Sequence, residues 1–355
     1  MTIIVFIIIL GILVLIHELG HFIAAKKQGI MVEEFGFGYP PRLFGIKKGE
    51  TLYSINLIPI GGFVKLHGEE YGESDKKKLF IKERAFSYKK PWQKSLVVVA
   101  GAVSNFILGW VLISFLFIQG IPAPTDKVFI EQVQKNSPAA QAGIKEKDTV
   151  IKISNNSQQF SIKSTNDFIS LTKKFAGEKI VLTIIRNNQE KKITVVPRKD
   201  PPSGQGPLGI TITNFVEKKY PWYQAPFYGL IEAFNITRMI VVEIIKTLLL
   251  LISFKKPSVD ITGPIGIARF TGQAIKFGSN AIMELVALLS LNLAVINLLP
   301  FPALDGGHLV LNLYEWITRK RVNKTFEKYL NFFGFLLLLT LVVLISINDI
   351  IKIYK

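Results

Sequence analysis

Ile3-Ile4-Val5-Phe6-Ile7-Ile8-Ile9-Leu10-Gly11-Ile12-Leu13-Val14-Leu15-Ile16-His17-Glu18-Leu19-Gly20-His21-Phe22-Ile23-Ala24-Ala25 decides how this chain is read. The run is long and apolar enough to cross a membrane as a helix. Near its end it carries His-Glu-x-x-His, the pattern of zinc-dependent peptidases. Positions 17 and 21 lie four residues apart, roughly 40° around a helix axis, so both imidazoles can reach one ion. Glu18 stands beside them, where a general base for activating water belongs. Each charged group in hydrocarbon costs about 2.5–3.5 kcal/mol, so such groups at this depth demand a function. A secretory signal peptide fits poorly. No Lys or Arg precedes the apolar run, no small-x-small site follows it, and Lys26-Lys27 sit on the wrong side.

The rest of the composition agrees with a membrane protein. Of 355 residues, 49% are hydrophobic and 19% charged, which leaves room for several spans and one soluble domain. There is no cysteine, so disulfides and thiolate ligands are excluded and a zinc ion must be held by His and carboxylate. The formal charge of +17 does not point to nucleic acid. The lysines are scattered through loops without interleaved aromatics, and anionic lipid headgroups are the natural counter-charge.

Four spans are expected: Ile3 to Ala25, Ser95 to Ile118, Ala281 to Pro300 and Phe332 to Ile347, the last ending before Asn348-Asp349. The stretch from Phe227 to Phe254 is also apolar. Its Glu232, Arg238, Glu243 and Lys246 recur at helical spacing, which suits an amphipathic helix lying in the membrane interface. Residues 121–215 differ in kind. Charge returns, and strands are expected at Val128–Val133, Thr149–Ile153, Lys179–Arg186 and Lys191–Val196. Asn155-Asn156 and Asn187-Asn188 mark turns, and Thr165–Phe175 reads as a helix. The division is therefore 1–120, a first membrane half; 121–215, an inserted α/β domain; 216–275, an amphipathic region; and 276–355, a second membrane half. Between spans one and two, Thr51–Leu57 and Phe63–Leu66 read as a hairpin turned at Pro59-Ile60-Gly61-Gly62. Beside an active site it offers a strand edge to an unwound substrate.

Two histidines need a third protein ligand and one open position. Asn297-Leu-Leu-Pro300-Phe-Pro302-Ala-Leu304-Asp305-Gly306-Gly307-His308 closes the third span. The prolines break the helix, the glycines let the backbone turn, and Asp305 is an acid on irregular backbone of the kind that lines buried cavities. His67 and His308 are the other candidates, and an ordinary interfacial turn is the plain alternative for 305–307. Parity favours Asp305. If 227–254 rests on the surface, the third span delivers Asp305 to the face where His17 and His21 lie; if it crosses, Asp305 arrives on the opposite face. Lys26, Lys27, Arg42, Lys47, Lys48, Lys76–78, Lys89, Lys90, Arg319, Lys320, Arg321 and Lys324 share that histidine face, which makes it cytoplasmic and the inserted domain extracytoplasmic.

These elements resemble the bacterial site-2 proteases of peptidase family M50, in the group of the regulator of sigma-E protease. The resemblance rests on His17-Glu18-x-x-His21, Gly36-Phe37-Gly38, Gly61-Gly62-Phe63-Val64-Lys65, and Gly101 with Asn105-Phe106. It continues with Ser137-Pro138-Ala139-Ala140-x-Ala142-Gly143, Gly263-Pro264-Ile265-Gly266-Ile267-Ala268, and Asn297 through Gly307. It implies a polytopic α-helical membrane protein with four transmembrane helices, a membrane-associated β-hairpin and a PDZ-like 121–215 domain. It also implies an intramembrane metalloprotease in the bacterial cytoplasmic (inner) membrane. Such an enzyme cuts single-pass transmembrane proteins already trimmed by another protease, as in anti-sigma factor or signal-peptide remnant cleavage. By position, His17, His21 and Asp305 would bind Zn2+ and Glu18 would be catalytic. Asn297, with Gly61, Gly62, Phe63 and Val64, would hold the substrate strand. Ala102 stands where the family usually has Pro, and there is room for one PDZ-like domain where some members carry two. A membrane metal transporter and a non-catalytic PDZ-type adaptor are the rival readings. The former needs a relay to the far face that the sequence lacks, and the latter has no use for Glu18.

Overall fold

The computed structural model describes residues 1–69, 81–155, 158–253 and 262–354. Lys76–78, Asn156 and Phe254, which figured in the sequence expectations, lie outside the described residues. The chain forms two compact units, one of residues 1–118 with 221–355 and one of residues 119–220.

The first unit is built on helix α1 (Thr2–Lys27) and helix α2 (Pro91–Gln119), which run antiparallel in backbone contact. A methyl group at Gly20 would overlap the Ala100 carbonyl oxygen, so only glycine permits this approach. The hydroxyl of Ser104 donates to the Ile16 carbonyl at 2.7 Å across the same crossing. Close packing of small residues with a hydroxyl bond is how helices associate where water supplies no hydrophobic drive. Helix α7 (Ser279–Asn297) joins them, with Leu291 filling the space over Gly109 and Ser290 donating to the Asn105 carbonyl at 2.7 Å. Among the described residues, four helices are long and apolar enough to cross a membrane: α1, α2, α7 and residues 325–352 of α9 (Lys324–Tyr354).

The last span differs from expectation. Asn348-Asp349 does not end it, and the helix continues to Tyr354. The Asp349 carboxylate is buried and accepts backbone N–H bonds from Gly263 and Gly266 at 3.0 and 2.9 Å, so it caps helix α6 (Pro264–Phe277). Those donors would otherwise be orphaned at the helix start.

The disputed stretch is a helix, α5 (Ala225–Ile252). Its first turns rest on the late part of α2: Trp110 donates to the Pro226 carbonyl at 2.7 Å, Gly229 abuts Ser114 and the Phe234 ring meets Phe106. Helix α6 then lies against the beginning of α1, through Gly272 and Thr2, and against the end of α9. The chain therefore leaves α2 and enters α6 on one side of the bundle, the side where α1 begins.

Strands β1 (Val32–Lys48) and β2 (Thr51–Leu66) follow α1, and here the expectation is corrected. The hairpin turns at Gly49-Glu50, with Lys48 opposite Thr51, and Pro59–Gly62 lies within β2. Residues 34–37 pair with 52–55 on one side and with 62–65 on the other, so the ribbon folds back on itself. Residues 62–66 pair only with β1 and form an edge. Glu50 at the turn is bound by Arg84 at 2.6 and 2.8 Å and by Lys26, which ties the turn to the end of α1. The Arg84 and Lys26 hydrogen bonds hold the Glu50 carboxyl down at about 2. Its contribution is therefore present above the ordinary carboxylate range and lost only as pH falls toward 2.

The second unit is built on an antiparallel sheet in the order β7-β6-β4-β3-β8, with β5 on β4. Its strands are β3 (Ile121–Val133), β4 (Thr149–Asn155), β5 (Gln158–Ser161), β6 (Ile180–Arg186), β7 (Gln189–Val195) and β8 (Ile210–Lys218). β5 and β8 were not foreseen. Alternating Ile180, Leu182 and Ile184 meet Val128, Ile130, Ile153 and Leu208 in the core, as period-two patterning dictates. Asn187 and Asn188, both at positive φ, turn β6 into β7. Helix α3 (Pro138–Gln141) is capped by Ser137, and helix α4 (Thr165–Lys174) by Ser164. Arg186 grips the fully buried Asp148 with two bonds of 2.7 Å, while the Lys145 N–H donates to the same carboxylate.

Replacing Asp148 with Ala leaves Arg186 without its counter-charge, with only the Gly143 carbonyl still bound, and is expected to cost about 3 kcal/mol. Limited proteolysis of the full-length protein should show faster cleavage within residues 119–220 and an unchanged pattern elsewhere.

Candidate metal centre

His17 and His21 project from one face of α1, and Asp305 opens helix α8 (Asp305–Thr318) after the break that follows α7. Nε2 of His17 lies 3.1 Å from Nε2 of His21 and 3.1 Å from Oδ2 of Asp305, and the His21–Asp305 distance is 3.3 Å. Among the described residues this is the only cluster of three possible ligands. The triangle fits zinc. Ligands 2.0–2.1 Å from a tetrahedral ion stand about 3.3–3.4 Å apart, and three protein ligands leave the fourth position open. Oδ2 of Asp305 is buried without a hydrogen-bond partner, an acceptor that an ion would satisfy. His67 is held by Glu33 at 2.9 Å, and His308 lies 3.4 Å from Glu327, so neither reserve candidate joins the cluster.

The break that presents Asp305 works differently from expectation. Pro300 and Pro302 do end the helix, but the sharp turn is made by Ala303 at φ 70. Gly306 and Gly307 serve close approach instead. A methyl group on either would strike the backbone of residues 298–302, which passes over the start of α8. Lys94 of α2 and Glu315 of α8 form a largely buried pair at 2.9 Å that holds α8 against the bundle.

Surroundings set each imidazole. Nδ1 of His21 donates to the Val97 carbonyl at 2.8 Å, which holds a proton on Nδ1 and turns Nε2 toward the cluster. Gly101 provides room for both rings, since a methyl group there would overlap His21 and crowd His17 Cε1. Asn105 and Asn297 both bring their amides to the His17 ring, at 3.3 Å from Nδ1 and at 3.2–3.3 Å from both ring nitrogens respectively.

Glu18 is not part of the triangle. It lines a cavity of about 310 Å³ with His17, Asp305, Asn297, Gly61 and Gly62. Glu18 packs against Gly62, so the free edge of β2 faces this cavity. Phe63 lies on that same edge segment, paired to Gly36. Val14, Tyr39, Leu293, Ala303 and Leu304 complete the lining and were not singled out from the sequence. Their apolar character gave no signal against a membrane background. The arrangement places a carboxylate, an ion site and a strand edge around one cavity, as hydrolysis of an extended chain requires.

Comparison with known proteins follows the same lines. The family model described as peptidase family M50 matches residues 5–341. A Clostridium perfringens protein provisionally described as a zinc metalloprotease is 39% identical over 343 residues, covering 96% of this chain and 95% of its own. The zinc metalloprotease RasP of Geobacillus kaustophilus is 30% identical over 426 residues, covering 99% of this chain and 98% of its own. The regulator of sigma-W protease RasP of Bacillus subtilis is 29% identical over 428 residues, with 99% of each covered. Among solved structures, a PDZ domain of an SdrC-like protein from Listeria monocytogenes is similar to 26% of this chain and 94% of its own, at 19% identity and a TM-score of 0.22. With the family model spanning nearly its whole length, the chain belongs to peptidase family M50 and is a zinc-dependent metalloprotease.

Proposed function

We propose that this metalloprotease cuts transmembrane segments of single-pass proteins within the bilayer, with His17, His21 and Asp305 as its zinc ligands and Glu18 as its general base. One observation carries the reading. Glu18, the ion site and an open strand edge share one cavity on an apolar helix, so the chemistry sits where a membrane-embedded peptide would be.

A helical substrate hides its carbonyls in intrahelical bonds and must unwind before it is cut. The edge at Gly61, Gly62, Phe63 and Val64 receives the unwound stretch as an added strand, and its backbone bonds replace those lost. Asn297, on the cavity wall opposite, donates its amide to the substrate backbone. Bound zinc supplies Lewis acidity, polarising the scissile carbonyl and making water acidic near neutral pH. Glu18 takes the water's proton and returns it to the leaving amine.

The wider organisation follows from the same reading. The membrane is the bacterial cytoplasmic one, crossed four times, with α5 resting in the interface. Residues 121–215 form a PDZ-like domain outside, which docks or filters substrates already trimmed by another protease. Anti-sigma factors and signal-peptide remnants are the substrate types this suits.

Glu18→Gln should lower cleavage of a model transmembrane substrate by about 10²–10⁴-fold while zinc content stays near normal. Activity within a few-fold of wild type would remove Glu18 from the mechanism.

Asp305→Ala should lose both zinc and activity, as His17→Ala and His21→Ala do. Full metal occupancy in Asp305→Ala would place the third ligand elsewhere.

Unique thiols report the topology, because the chain has no cysteine. Thr318→Cys should label from the cytoplasm, and Lys163→Cys and Thr262→Cys from outside. Cytoplasmic labelling at 262 would contradict the four-span arrangement.

A further inference from the structure

His17 has two amide neighbours, and they are placed differently. Asn297 is half-buried on the cavity wall and can meet a substrate. Asn105 is 0% exposed, lies behind the ring on α2 and cannot. The ring needs something from that side. Nε2 of His17 faces His21 and Asp305, so it must be bare to bind an ion, and Nδ1 must then carry the ring proton. His21 solves the same problem with the Val97 carbonyl. No carbonyl is hydrogen-bonded to Nδ1 of His17 among the described residues. Asn105 reaches it at 3.3 Å, and the Asn105 Oδ1 is buried with no partner. Half a turn of the amide, which leaves its shape unchanged, gives that oxygen the Nδ1 proton as its partner.

We infer that Asn105 is the positioning residue for His17: its side-chain oxygen accepts the Nδ1 proton, fixes the ring's tautomer and aims Nε2 at the ion. This rests on the metal-site reading given above. The position is well braced. The Asn105 carbonyl accepts from Ser290 at 2.7 Å, which locks this turn of α2 to α7. Gly101 lies one turn earlier on the same face and opens the space into which the two rings fit. One face of α2 thus provides both the room and the acceptor. Outer partners of this kind set metal affinity by about 10–100-fold.

The test uses the full-length protein, stripped of metal and titrated with Co2+ against a competing chelator, with visible absorption of the bound ion recorded. Asn105→Leu keeps the volume but removes the acceptor, and should weaken Co2+ binding 10–100-fold and alter the absorption band. Asn105→Asp retains an acceptor oxygen and should stay within about threefold of wild type. Asn105→Ala, which cannot overfill the site, should match the loss in Asn105→Leu. Two results overturn the inference: wild-type Co2+ affinity and spectrum in Asn105→Leu and Asn105→Ala, or an equal loss in all three variants. The metal-site reading fails separately, if wild type and His17→Ala bind Co2+ alike.

Discussion

Backbone contact between α1 and α2 is the constraint on which the site depends. Two imidazoles on α1 can share an ion only if the neighbouring helix comes close enough to seat them, and a side chain at Gly20 or Gly101 would prevent it. In lipid no hydrophobic drive pulls helices together, so the approach is stabilised by packing and by the few polar bonds available. Ser104 to Ile16 and His21 to Val97 both cross this interface. The second of these also sets the tautomer of His21, so the contact that holds the helices together also orients one imidazole of the cluster.

Asp305 comes from the far end of the chain, and several independent devices deliver it. Leu291 over Gly109 and Ser290 on Asn105 bring α7 to α2, and Lys94 with Glu315 brings α8 to the same helix. Between them the chain is forced into a tight bend at Ala303. Only small residues at 306 and 307 let the returning backbone pass. The carboxylate is thus fixed by packing on three helices rather than by its own bonds, which leaves its oxygen free for an ion.

Much of this was legible in the sequence, and the gaps have physical causes. His17, Glu18 and His21 could be read because polar groups in an apolar helix need a reason. Asp305 was expected from counting crossings, and it lies beside His17 and His21 in the structure. The hairpin was misread because Pro59–Gly62 is a stronger local turn signal than Gly49-Glu50, whose turn is held instead by Arg84 and Lys26. β1 escaped notice because Gly36, Gly38, Gly45 and two prolines give it poor strand propensity, and pairing on two sides overrides that. Asn105 carried no signal beyond its spacing from Gly101. A buried amide becomes informative only when its neighbour is seen.

The bond between Asp349 and the start of α6 has a consequence for depth. Helix α9 is largely exposed on the first unit's surface, so packing alone would leave it free to slide or rotate in lipid. Its buried carboxylate removes that freedom, because any shift by a turn would strand a charge in hydrocarbon and orphan two N–H groups. Gly334 of the same helix rests on the Pro302 backbone, just before Asp305. A peg at one end of a rod therefore sets how far below the membrane surface the bend at its other end can sit.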